Sequence, residues 1–263
     1  MLRELAEEMK YIAILCWLST KSFMTYRMQA LFWVVLEIMP AIMSFITISI
    51  IYHVSSGIAG WTYYQLLFLA ASATLLGGIV ELFVIPSNIV RRMLTGSIDV
   101  MLIRPHAKLT AVAAPTPAPI AFGAILSAFV LFALSMPYLQ FTAGSLLLSV
   151  LVFAFGTLAV ISFGLAITLA SYHLLKGAKF ASKLLDMSGN IGNYPISVFG
   201  EAGKFVFTFI VPFALAYYYP AEVLLGTADA LGAAKLIGLS IGAILAFYAI
   251  FDRLMREYTS GGG

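Results

Sequence analysis

The sequence predicts an all-α polytopic membrane protein: six transmembrane helices behind an N-terminal amphipathic interfacial helix, with both termini cytoplasmic. Composition is the first ground for this. The 263 residues are 62 % hydrophobic and 10 % charged, with a mean hydropathy of +0.99, whereas soluble domains average about 45–50 % apolar and about 25 % charged. Second, long runs without Asp, Glu, Lys or Arg recur along the chain, each able to supply helices of about 20 residues, the length that crosses a hydrocarbon core of about 30 Å. Third, nearly all Lys and Arg gather between these runs on one side.

The first element is residues 1–28. Leu2, Leu5, Ala6, Met9, Ile12, Ala13 and Cys16 follow helical spacing, while Arg3, Glu4, Glu7, Glu8 and Lys10 take the opposite face. This is the pattern of a helix lying in the interface, where plain anchoring and contact with a partner both suit it. A signal peptide does not fit, because the opening mixes acidic with basic residues and no cleavage-like site follows a short apolar core.

Six spans follow, within residues 29–252. The charge-poor run from Ile38 to Val80 is broken by "HVSSGIAGW" (His53 to Trp61), whose Ser and Gly residues read as a turn between spans at about 30–52 and about 62–85. Leu109 to Leu175 carries no charge and is interrupted near "MPYLQFTAG" (Met136 to Gly144), giving spans at about 115–136 and about 145–172. "FVFTFIVPFALAYYYPA" (Phe205 to Ala221) and "LIGLSIGAILAFYAIF" (Leu236 to Phe251) supply the fifth and sixth. Residues 253–263 remain as a cytoplasmic tail ending in "SGGG". Six spans place both termini together, and with that side inside, fourteen of the fifteen Lys and Arg are cytoplasmic, Lys204 among them, against Lys235 outside. Positive charge is retained on the cytoplasmic side of membrane proteins.

Residues 86–110, between the second and third spans, hold Arg91, Arg92, Arg104 and Lys108. The stretch has the punctuation of two short helices. Ser87 or Asn88 can cap the first and Gly96 can end it in a left-handed conformation. Ser97 can cap the second, with Asp99 in its first turn and Arg104 in its last before Pro105. Such an element suits docking of a cytoplasmic partner through Arg91, Arg92, Gly96, Asp99 and Arg104; a basic tether at the membrane surface is the simpler alternative.

Ionisable groups within spans are costly, about 2.5 to 3.5 kcal/mol for a mid-bilayer carboxylate, so Glu37, just before Pro40, stands out. It suits either a translocation path open to cations or an ion pair with Arg27 or Arg91, the second being the simpler role; Glu81 reads as a partner of the basic loop. In the sixth span Ala234, Gly238, Gly242 and Ala246 recur every fourth residue and form a flat ridge for close helix approach, within the bundle or between subunits. Tyr217 and Tyr218, in "YYYP", mark the outer end of the fifth span, as an interfacial belt or part of an exit gate.

Three stretches carry a resemblance. "GSIDVMLIRP" (Gly96 to Pro105), "NYPISVF" (Asn193 to Phe199) and "VPFALAYYYPAEVLLG" (Val211 to Gly226) resemble the ABC type-2 transporter permeases, specifically their small six-span prokaryotic export subfamily. The resemblance implies a connecting helix at residues 1–28, a coupling loop at 86–110 resting on a separate ATP-binding subunit, a second permease chain, identical or related, and residence in a prokaryotic inner membrane. It also gives weight to a missing motif. A phosphate-binding loop needs G-x-x-x-x-G-K-[ST]; the nearest approach, "FGEAGKF" (Phe199 to Phe205), has Phe205 where the hydroxyl belongs. ATP and Mg would therefore sit on the partner ATPase, and this chain would bind no cofactor and perform no catalysis.

Other chemistries find little support. His53, His106 and His173 are dispersed, no zinc motif occurs, the single Cys16 cannot form an intrachain disulfide, and no nucleic-acid partner is expected. An ion-coupled secondary transporter would carry several intramembrane ionisable groups and internal repeats, and a non-transporting scaffold would account for the spans alone. The bundle's poverty in internal charge suits hydrophobic or amphiphilic cargo better than a polyanion.

Overall fold

A computed structural model of the chain describes residues 10, 11, 13–15, 17, 18, 21, 25, 27–54, 57–103, 108–113, 119–175 and 177–259. Most of the expected amphipathic segment, together with Arg104 and Pro105, lies outside the described residues. Most of those described are helical, with no strand among them beyond a single bridge between Ile58 and Trp61. The order is α1 (Arg27–Val54), α2 (Tyr63–Phe83), α3 (Pro86–Leu94), α4 (Asp99–Leu102), α5 (Lys108–Val112), α6 (Pro119–Ser135), α7 (Ala143–Leu175), α8 (Lys179–Ile191), α9 (Gly200–Phe205), α10 (Phe213–Leu224) and α11 (Ala230–Arg256).

Among the described residues, α1, α2 with its continuation through Leu94, the stretch Ala121–Tyr138, α7 and α11 are each long and apolar enough to cross a membrane. The expected fifth span is not one helix. Ile196–Ile210 and Phe213–Leu224 meet at 112°, where the sequence predicts one straight helix over 205–221. Pro212 has no N–H to donate and its ring crowds the carbonyl one turn back; the chain closes a π turn over Val206–Ile210, bonds Val211 N to Val206 O at 2.9 Å, and restarts after Pro212 as α10. Lys204, counted on the cytoplasmic side by the sequence reading, consequently lies beside Glu222 and Tyr219. These belong to the end of the bundle where Trp61 packs on Tyr218, ring centroids 5.8 Å apart, opposite to the end that bears Arg91 and Arg92.

The turn between α1 and α2 is fastened by Gln65 Oε1, which accepts from the Thr62 N–H at 2.8 Å, and by the Tyr52 hydroxyl, which donates to the Trp61 carbonyl. The core lies along α2, whose residues 66–73 are buried without a break between α6, α7 and α10. A helix apolar all round belongs in such a position. On the far side α10 lies against α7. Ser149 Oγ donates to the Pro220 carbonyl at 2.7 Å, and a Cβ at Gly156 would stand 2.1 Å from the Leu215 carbonyl oxygen, so only glycine permits this approach. α7, with 33 residues, is about 50 Å long at 1.5 Å per residue and outruns the hydrocarbon core. α11 continues to Arg256, four residues beyond the 252 limit read from the sequence.

Candidate functional site

The connection from α2 to α6 contains the two expected short helices, α3 and α4, followed by a third, α5, and the caps are not the expected ones. Ile85 occupies the N-cap of α3 and Pro86 the first helical position, where a fixed φ and a missing N–H cost nothing. Ser87 and Asn88 are therefore inside the helix. Gly96, with φ +67°, ends it; its N–H reaches Met93 O at 3.3 Å and the Ile98 N–H reaches Arg92 O at 3.3 Å, the backward bonds of a left-handed helix stop. Ser97 does not cap α4, whose N-cap is Ile98; the Ser97 Oγ bonds Thr95 Oγ1 at 3.0 Å and donates to the Arg92 carbonyl at 3.4 Å, in the last turn of α3. Asp99 does begin α4.

The charged residues of this platform divide by direction. Arg92 turns inward, Nη2 donating to the Val112 carbonyl at 2.7 Å and Nη1 lying 3.4 Å from the Met101 sulfur. It ties α3 to α4 and α5. Arg91 is exposed, with Asn88 Oδ1 at 3.5 Å. Asp99 is half-buried and accepts from the Tyr258 hydroxyl at 3.1 Å. The outward face instead carries apolar side chains: Leu94, Val100 and Ile103 are 44 %, 59 % and 84 % exposed. The sequence reading followed the charges and passed over this trio, although three large apolar residues in a basic loop were the available signal.

Next to the platform, a cavity of about 740 Å³ opens among α1, α2, α3 and α8. Glu37, Ser44 and Thr47 line it from α1, Thr74 and Glu81 from α2, and Asp186 from α8. Glu81 lies within electrostatic reach of both other carboxylates. Among the described residues Glu37 and Glu81 form no ion pair, so the pairing of Glu37 with Arg27 or Arg91 is not made. Burial raises the Asp186 carboxyl above its usual range, with the Lys183 ammonium opposing the rise. Asp186, a lone acid on a short helix, had no sequence signal beyond its charge.

The remaining candidates fall elsewhere. Tyr217 is fully buried between helices and Tyr218 nearly so, beside Ser197 and Glu222, and neither reaches the cavity. Ala234, Gly238, Gly242 and Ala246 are all exposed, and a Cβ at Gly238 or Gly242 would meet nothing within 4 Å; the ridge points away from the bundle. His173 Nε2 lies 2.9 Å from Leu254 O and joins α7 to α11.

A helical bundle with a short helical platform between its second and third spans is the arrangement the sequence resemblance implies; the 112° bend was not among its implications. No curated protein and no solved structure matches the chain. The family model described as ABC-2 family transporter protein matches residues 38–262, which takes in α2 to α11, the platform and all of the cavity lining but Glu37: the chain belongs to the ABC-2 transporter family and is a membrane permease component of an ABC transporter.

Proposed function

We propose that the chain is one permease half of an ATP-driven exporter that moves a hydrophobic or amphiphilic substrate out of the cytoplasm or inner leaflet of a prokaryotic plasma membrane. The observation that carries this is the platform: two short helices locked by Gly96 and Arg92, presenting Arg91, Leu94, Val100 and Ile103 outward at the basic end. Separate ATP-binding subunits dock there and hold ATP and Mg. Because Arg92 bonds across the platform to Val112, the unit moves as a body, and α2, which leads into it, carries the motion to the cavity it lines. Glu37, Glu81 and Asp186 make that cavity unfavourable for anionic cargo, since a like charge in a partly desolvated site is repelled. The exposed small-residue ridge of α11 serves a second permease chain, where close backbone approach substitutes for the hydrophobic effect that lipid cannot supply.

The test is reconstitution. The permease, purified in gentle detergent, should co-elute with an ABC ATPase, and vesicles holding both should move a fluorescent amphiphile only with ATP and Mg. Movement against a gradient by the chain alone, without ATP or an ion gradient, would overturn the proposal.

A further inference from the structure

The end of the last span reaches the platform. Beyond α11, the Tyr258 hydroxyl lies 3.1 Å from the Met93 carbonyl oxygen and 3.1 Å from Asp99 Oδ1, donating between the last turn of α3 and the first of α4. Its ring packs on Tyr172 of α7, centroids 5.9 Å apart. The helix end that presents it is itself fixed: Phe251 and Met255 are buried, the Leu254 carbonyl bonds His173, and Asp252 lies 3.7 Å from Lys108 at the start of α5. The chain joins the platform to α2 and α6 covalently and α7 packs directly on α3; α11 reaches the platform through Tyr258 and Asp252.

We infer that Tyr258 is a positioning residue for energy coupling: it ties the ATPase-contact platform to α11, so that movement of the platform is passed to the last span as well as to α2 and α6. This rests on the reading of the platform as the ATPase contact. The hydroxyl grips a backbone carbonyl of one helix and a side chain of the next, on either side of the Gly96 turn, and so also holds the angle between the two.

Hydrogen exchange on the full chain, followed by hydrolysis in the complex, tests this. Tyr258→Phe keeps the ring against Tyr172 and removes the donor. Amides in peptides covering 93–103 should exchange about fivefold faster, the loss of about one hydrogen bond, while peptides within 143–175 stay unchanged. Asp99→Asn keeps an acceptor and should stay within about twofold of wild type, whereas Asp99→Leu should follow Tyr258→Phe to a smaller extent, since Met93 O remains. In the complex, Tyr258→Phe should lose most of the substrate-stimulated ATP hydrolysis with the amount of bound ATPase unchanged. Unchanged exchange at 93–103 overturns the tether, and faster exchange with full stimulation overturns its coupling role. If the ATPase stays bound when Arg91 and Ile103 are both changed to Glu, the platform reading fails instead, and the exchange experiment still decides the tether.

Discussion

Gly156 and Gly238 lie in neighbouring long apolar helices and have opposite surroundings. A Cβ at Gly156 would stand 2.1 Å from the Leu215 carbonyl oxygen, while one at Gly238 would meet nothing within 4 Å. The first small residue is used: it lets α10 sit directly on α7, where Ser149 completes the contact with a hydrogen bond to Pro220. The second belongs to a ridge that none of the described residues covers. A membrane helix gains nothing by hiding apolar area from lipid, so small residues matter where a backbone comes close. On α7 that partner is internal; on α11 the proposal assigns it to a second permease chain.

The largest expected effect falls on the filled contact. Gly156→Val should cost about 3 kcal/mol or more, since the branched side chain meets backbone that cannot move aside, and should abolish a monodisperse peak in detergent chromatography. Arg92→Ala comes next. Removing the charged donor to Val112 should cost about 1.5–3 kcal/mol locally and loosen the platform, read as faster proteolysis within 86–112 with the spans intact. The paired change of Gly238→Leu and Gly242→Leu should leave thermal stability within about 0.5 kcal/mol, as at an uncontacted surface, yet abolish cross-linking between permease chains; intact cross-linking would remove the ridge from the proposed dimer. Glu37→Gln should have the smallest effect on stability and alter transport of cationic cargo only. Wild-type transport of every cargo tested would take Glu37 out of the pathway.

The same contrast explains what the sequence could disclose. Charge-free runs mark the spans because burying charge in hydrocarbon is costly wherever it occurs, and five of the six were legible within a few residues at most ends. The fifth was not. Pro212 is plain in "IVPF", but many transmembrane helices tolerate proline, as α1 does at Pro40 and α10 at Pro220, and the return of 196–210 alongside α10, where Thr208 Oγ1 lies 3.1 Å from the Tyr219 hydroxyl, is a tertiary contact. Gly96 was legible as a helix stop because its φ of +67° is one that other residues resist. The caps were misread because Pro86 takes the first turn ahead of Ser87 and Asn88. Whether the α11 ridge points inward or outward leaves no trace in hydropathy, since both surroundings are apolar. Asp186, the Arg92 bond to Val112 and the Tyr258 bond to Asp99 each depend on tertiary contact.

The central claim, that the platform between α2 and α6 docks the ATPase, is tested most directly by charging its outward face. Arg91→Glu combined with Ile103→Glu reverses one exposed side chain and puts a carboxylate on another, while Arg92 keeps its bond to Val112. Because Arg91 also contributes to the positive-inside bias, orientation is verified by side-specific labelling before the complex is purified. With topology and the permease peak unchanged, the account predicts loss of ATPase co-elution and of substrate-stimulated hydrolysis; co-elution and stimulation at wild-type levels would contradict it.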